Sequence, residues 1–166
     1  MSINIVAAVG INNELGKNNK LIWRIPEDMK FFRDITLDNH IIMGRKTFES
    51  LPKKLDRRIN IVLSKSNLEQ VYDCISYNNI DDVLENYYFK ENAPDLYVIG
   101  GESIYQQFLP YTETMYLTEI DDYDYEADAY FPYFNEKDWT KQVILENSYN
   151  NLDYSRVKYK RKKREY

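Results

Sequence analysis

With 166 residues, 43% of them hydrophobic and 30% charged, the chain has the length of one domain and enough apolar mass for a core. Its longest apolar runs, such as Ile5 to Val9, are strand-sized and far short of the roughly 20 residues a membrane helix needs. The net charge of −5 comes with a single cysteine, Cys74, which excludes an intramolecular disulfide and a cysteine-rich metal site and points to a reducing, cytoplasmic setting.

In chain order, Met1-Ser2-Ile3-Asn4-Ile5 lacks the basic n-region of a signal peptide and leads straight into a strand over Ile3 to Val9, apolar enough for a buried parallel strand. A helix is expected over Pro26 to Ile35, with proline at its first position. A strand over His40 to Met43, Gly44 and a helix through Leu51 follow, then a strand over Asn60 to Leu63 and a helix over Ile80 to Tyr88. Leu96 to Ile99 reads as a strand, Gly100-Gly101 as a turn, and Glu102 to Leu109 as a helix stopped by Pro110. Met115 to Ile120, Thr140 to Glu146 and Tyr154 to Lys160 are expected strands. Alternating strands and helices imply an α/β sheet with helices on both faces. The last two strands have no helix between them and suggest an antiparallel hairpin at the sheet edge. No repeat or flexible linker divides the chain, so a single domain over residues 1–166 is expected.

Two regions carry lopsided charge. Asp121 to Asp128 is acidic and tyrosine-rich, while Lys158 to Arg164 is basic. A basic run can contact nucleic acid or membrane, but the plainer reading is a last strand followed by a solvated tail. The abundance of tyrosine and asparagine reads as compositional bias of the coding DNA.

One residue on the helix after Pro26 breaks the pattern. At about 100° per residue, Ile25, Met29, Phe31, Phe32 and Ile35 share a face, and Asp28 falls near its middle. An acid in the first turn favours the helix macrodipole and can remain solvated. Alternatively, a carboxylate beside Met29 and Phe32 is poorly solvated and can grip a planar, amidine-like ligand edge through two parallel hydrogen bonds. Periodicity alone leaves both readings open.

Three strand ends form anion-friendly turns. Gly44-Arg45-Lys46-Thr47 sets a glycine and two cations at a helix start, Gly100-Gly101 precedes the helix from Glu102, and Leu63-Ser64-Lys65-Ser66 adds hydroxyls and a cation. In an open α/β sheet such ends share one ligand, here a dinucleotide. The usual G-x-G-x-x-G is missing, no acid is offered to a free ribose hydroxyl, and Arg45 with Lys65 suits a 2′-phosphate, which favours NADPH over NADH.

The segments Leu21-Ile22-Trp23-Arg24-Ile25-Pro26-Glu27-Asp28, Ile41 to Ser50 and Val98 to Tyr105, with Ile5-Val6-Ala7-Ala8 and Tyr116 to Ile120, resemble bacterial-type dihydrofolate reductases in order and spacing over nearly the whole chain. The resemblance implies a central, mostly parallel eight-stranded sheet with about four helices, and reduction of 7,8-dihydrofolate to tetrahydrofolate for one-carbon metabolism with NADPH. It further implies a cytoplasmic monomer that binds antifolates, with neither metal nor nucleic acid. By resemblance, Asp28 holds the pteridine, Thr118 hydrogen-bonds that carboxylate, Trp23 walls the site and positions a water, and Leu21 completes the catalytic group. Val6, Ala7, Met29, Phe32, Ser50, Leu51, Leu55, Ile99 and Tyr105 line the substrate. Arg58 takes the glutamyl carboxylate, although Leu55-Asp56-Arg57-Arg58 lacks the usual Pro-Gly and leaves Arg57 as an alternative. Ala8, Leu15, Gly16, Ile99 and Tyr105 frame the nicotinamide. Gly44, Arg45, Lys46, Thr47, Leu63, Ser64, Lys65, Gly100, Gly101, Glu102, Ser103 and Ile104 hold the rest of the cofactor. Leu15 to Leu21 is similar to the family's mobile loop, with Asp128 stabilising its closed form. A pyrimidine reductase of riboflavin synthesis shares the fold but gives no reason for Trp23-x-x-Pro26-x-Asp28; an RNA-binding protein that kept the fold is the alternative from another class.

Overall fold

The structure is a computed structural model that describes residues 1–69 and 72–163. Its strands are β1 (Ile3–Val9), β2 (Glu14–Lys17), β3 (Lys20–Leu21), β4 (His40–Gly44), β5 (Ile59–Leu63), β6 (Ile75–Tyr77), β7 (Leu96–Val98), β8 (Thr114–Ile120), β9 (Ala129–Tyr130), β10 (Trp139–Tyr149) and β11 (Leu152–Arg161). The helices are α1 (Pro26–Thr36), α2 (Arg45–Ser50), α3 (Ile80–Tyr87) and α4 (Glu102–Phe108).

Eight strands form one sheet in the order β10-β11-β8-β1-β7-β4-β5-β6. The pairs from β8 through β1, β7, β4 and β5 to β6 are parallel, and β11 joins β8 and β10 antiparallel. Parallel strands are covered on both faces and read as unbroken apolar runs. Ile3, Ile5, Ile41, Ile42, Met43, Ile61, Val62, Leu96 and Val98 are accordingly all but fully buried.

The expected elements are present, with ends displaced by a few residues at most. Within the eight-stranded sheet, the strand not expected from the sequence is β6. It has three residues and exposes Ile75, so its apolar pattern is too short to register. Leu15 to Leu21, expected as an irregular loop, instead contains the antiparallel hairpin β2–β3, which joins β9 in a second, three-stranded sheet. Asn18 and Asn19 at its turn have φ of 49° and 62°, and Asn150 and Asn151 between β10 and β11 have φ of 50° and 61°. Two consecutive left-handed residues make the tight hairpin turn whose twist matches that of the strands, and asparagine tolerates this conformation. The asparagine content therefore has a structural use at these turns.

The helices start and stop for local reasons. Pro26 opens α1 behind Ile25, Glu27 and Asp28 occupy its first turn, and the Thr36 hydroxyl donates back to the Phe32 carbonyl at its end. The side chain of Asn79 caps α3 by accepting from the Asp82 N–H at 3.0 Å. At the C-terminus most of the basic run belongs to β11. Arg161 donates to the carbonyls of Thr112 and Leu109 and lies over the Trp139 ring, while Arg164 lies outside the described residues. No helix among the described residues is long and apolar enough to cross a membrane.

Candidate active site

Register carries the site to α1. Thr118 on β8 is paired with Ala8 on β1 and with Arg156 on β11, so these three residues form one row across the sheet. The buried Thr118 hydroxyl donates to Asp28 Oδ1 at 2.5 Å. Asp28 keeps one fifth of its side chain exposed. It is therefore a first-turn acid and also a carboxylate fixed from the sheet.

The hydrophobic face of α1 is largely uncovered. Of its residues only Thr36 is buried; Phe31, Phe32 and Ile35 are half-buried and Met29 is exposed. Leu21 is exposed, and Leu51, Leu55 and Ile99 are half-buried against the cluster of Ile41, Met43 and Phe48. On α1 the open apolar side chains flank one anchored carboxylate, a combination that suits a flat, weakly basic ring. Val6 and Ala7 are buried in β1, and the Val6 carbonyl accepts from the Tyr105 hydroxyl at 2.8 Å, which ties α4 to the floor beside it. Burial pushes the Tyr105 phenol well above its usual range, so it stays a donor. Ser50 is exposed, and its hydroxyl donates to the Thr47 carbonyl.

The β2–β3 hairpin is fastened to the segment after β8. The Asp128 carboxylate accepts from the Asn18 N–H at 2.9 Å, and the Asp128 N–H donates to the Gly16 carbonyl at 3.0 Å. A side chain at Gly16 would meet the Lys20 carbonyl at 2.9 Å, so the hairpin needs glycine there. Leu15 is buried in the core. Two latches escaped the sequence reading. Glu14, 1% exposed, accepts from the N–H groups of Asn12 and Asp124, and the Trp23 indole N–H donates to Asp122 at 2.9 Å. This bond lowers the carboxyl of Asp122 below its usual range. An acid at an apolar position, Glu14 in Asn13-Glu14-Leu15, was the available signal.

The three glycine and cation junctions become neighbours because β7, β4 and β5 are adjacent. The Gly44 N–H donates to the Gly100 carbonyl at 2.9 Å, joining two of them. Gly100 has φ of 120°, a conformation that suits glycine, and precedes a cis peptide to Gly101. A Cβ on Gly44 would crowd Ile104, while one on Gly101 would merely touch the Thr47 hydroxyl, 3.5 Å away. In α4 the N–H groups of Ile104 and Tyr105 return to the Gly101 carbonyl, whereas those of Glu102 and Ser103 precede the first helical bond. Ile104 is buried, Ser103 is exposed, and Glu102 accepts from the Tyr130 N–H. Arg45 and Lys46 are exposed at the start of α2, with Arg45 held to Glu49 at 2.7 Å and the Lys46 carbonyl accepting from Asn19. After the half-buried Leu63, Ser64 is buried and accepts from the Ser66 N–H, and Lys65 is exposed.

The two adjacent arginines separate cleanly. Arg57 takes a left-handed φ of 55° and makes a two-point ion pair with Asp38. The Arg58 side chain is only 3% exposed and donates to the Asp56 carbonyl and the Thr36 hydroxyl at the end of α1.

The family profile described as dihydrofolate reductase matches residues 2–161. The chain belongs to the dihydrofolate reductase family. The dihydrofolate reductase of Bacillus subtilis strain 168 is 33% identical over 163 residues, covering 96% of this chain and 95% of that protein. The dihydrofolate reductase from Buchnera aphidicola subsp. Acyrthosiphon pisum is 36% identical over 160 residues, covering 93% and 96%. A solved structure, dihydrofolate reductase from Enterococcus faecalis complexed with NADP(H) and RAB-propyl, superposes with a TM-score of 0.86 at 24% identity over 98% of this chain and 97% of that one. The eight-stranded sheet with its antiparallel edge is thus the dihydrofolate reductase fold.

Proposed function

We propose that this member of the family reduces 7,8-dihydrofolate to 5,6,7,8-tetrahydrofolate with NADPH, working as one domain in the cytoplasm and supplying tetrahydrofolate for one-carbon metabolism. The observation that carries the reading is the Thr118–Asp28 hydrogen bond, which anchors a partly exposed carboxylate on the helix whose apolar residues Met29, Phe31, Phe32 and Ile35 are left partly open.

The residues present fit the cofactor. Gly100, at a φ suited to glycine, and Gly44, where a side chain would crowd Ile104, keep side chains out of the junctions and leave backbone surface for a diphosphate. Arg45, Lys46, Thr47, Ser64 and Lys65 offer the cations and hydroxyls that a diphosphate and a 2′-phosphate require. Ala8, Leu15, Gly16, Ile99 and Tyr105 would border the nicotinamide. When bound, NADPH supplies the hydride.

The chain's own residues do the rest. Asp28, fixed by Thr118, would accept from a ring N–H and the 2-amino group of the pterin, and its negative charge favours the protonated ring that accepts hydride. It anchors and tunes the ring; the proton for N5 comes from water, reached from the exposed side of the cleft. Met29, Phe32, Leu51, Leu55, Ile99 and Leu21 exclude water from the ring face and hold it in orientation. Arg58, fixed against the end of α1, would pair with the glutamyl α-carboxylate. Inhibitors that copy the pterin edge, the antifolates, would compete at Asp28. Product analysis tests the reading: incubation with dihydrofolate and NADPH is expected to yield tetrahydrofolate, whereas turnover of a ribitylamino-pyrimidinone in place of dihydrofolate would overturn it.

A further inference from the structure

The strand row that carries Thr118 also carries a cation with no part in the family resemblance. Arg156 on β11 stands in register with Thr118, and its side chain is 4% exposed. Its two terminal nitrogens donate to the two carboxylate oxygens of Glu27 at 2.9 and 3.0 Å, and one of them also donates to Asp28 Oδ1 at 3.0 Å. The guanidinium carbon lies 3.9 Å from the centre of the Phe31 ring. Tyr154, two residues earlier on the same strand face, donates to Glu27 as well.

Asp28 Oδ1 therefore receives two donors, Thr118 from β8 and Arg156 from β11. Among the described residues no donor reaches Oδ2. We propose that Arg156 is a positioning residue for the reaction: its Nη2, together with the Thr118 hydroxyl, fixes Asp28 Oδ1 from the protein side and so sets the orientation in which the carboxylate meets the substrate, with Oδ2 left open. The proposal rests on the reading of this chain as a dihydrofolate-reducing enzyme.

Stability gives a poor reason for this arginine. A buried ion pair is often no more stabilising than apolar packing of the same volume. The Nε atom of Arg156 is also buried without a partner among the described residues. The electrostatic reason is stronger. Glu27 and Asp28 are adjacent acids that repel each other, and the guanidinium lies within hydrogen-bonding distance of both. The charged and titratable groups around the guanidinium are Glu27 and Asp28 on α1, with Lys30 acting on Glu27 from the next turn, and Tyr154 on β11. Its neighbour on β8 is Thr118, and its partner on β10 is Leu145, which brings no charge. The hydrogen bond from Arg156 is the chief cause that lowers the Glu27 carboxyl below its usual range. Burial pulls the arginine down, but its bonds to Glu27 and Asp28 outweigh that and hold it above its usual range.

The test is kcat and KM for dihydrofolate and KM for NADPH in the wild type and in Arg156→Met, Arg156→Gln and Arg156→Lys, each checked for folding by its melting transition. KM for dihydrofolate is expected to rise about tenfold in the Met and Gln variants, the scale of a lost charge-assisted hydrogen bond, while KM for NADPH stays unchanged. Lysine, which can still donate to Asp28, is expected to restore much of the loss. A loss that falls equally on KM for NADPH would show a merely structural role and overturn the proposal, as would a lysine variant that behaves as methionine does. If the Met variant does not fold, the Gln variant decides in the same way. A wild type that reduces no dihydrofolate would instead overturn the underlying reading.

Discussion

Thr118 donates to Asp28 Oδ1 at 2.5 Å across a separation of 90 residues, joining the central sheet to the first turn of α1. That bond orients, from the sheet, an acid otherwise suited to a helix start. Most of what the cleft is expected to do depends on it.

Asp28→Asn keeps the size of the side chain and removes its charge. Melting is expected to remain cooperative, because Asn can still accept from Thr118 and Arg156. Turnover of dihydrofolate at about pH 7 is expected to fall on the order of 100-fold or more, the scale of a lost acid–base or charge-stabilising group. Part of the loss is expected to return at low pH, where the substrate enters already protonated. Steady-state kinetics across pH checks this, and equal activity of variant and wild type at every pH would sink the role.

Arg45 and Lys65 lie at the ends of the adjacent strands β4 and β5. The double variant Arg45→Ala with Lys65→Ala is expected to raise KM for NADPH by about tenfold or more, since two charge-assisted contacts to a phosphate are lost. NADH, which lacks that phosphate, is expected to change little. Equal losses for both cofactors would refute a 2′-phosphate site.

Arg58→Gln is expected to raise KM for dihydrofolate about tenfold, with a much smaller effect on a dihydropterin that lacks the glutamyl tail. Arg57→Gln, which removes only an exposed pair with Asp38, is expected to leave KM unchanged. Measuring both variants on both substrates separates the two arginines, and a larger effect at Arg57 would reverse the assignment.

Acid should weaken the Glu27–Arg156 pair in a defined direction. The carboxyl of Glu27 is lowered from 4.5, so its contribution is fully present above that value and fades as pH falls through the lower, folded-state value. Denaturant midpoints of wild type and Arg156→Met are expected to converge in strong acid and to differ most near neutrality. A gap that stays constant with pH would contradict the pairing.

Legibility in the sequence followed the length of the physical signal. The runs at β1 and β4 and the stripe on α1 exposed both the sheet and Asp28, because a strand covered on both faces is apolar at nearly every residue and a helix face recurs every third or fourth. β6, β9 and the β2–β3 hairpin were missed because strands of two to four residues carry almost no period, although Asn18-Asn19 marked the turn. Arg156 was hidden differently. Within Tyr154 to Lys160 it reads as one more basic residue of a charged strand, and only register with Thr118 reveals it as buried against two acids. The different settings of Arg57 and Arg58 likewise show only in three dimensions, in the left-handed φ of Arg57 and in which guanidinium reaches Thr36.

The most direct measurement is the loss of NADPH absorbance when dihydrofolate is added to the purified protein, with and without a diaminopyrimidine antifolate. Rapid loss that depends on dihydrofolate, is suppressed by the antifolate and is nearly abolished in Asp28→Asn is the expected result. No loss on adding dihydrofolate, or a loss indifferent to both the inhibitor and Asp28, would contradict an active site built on this carboxylate.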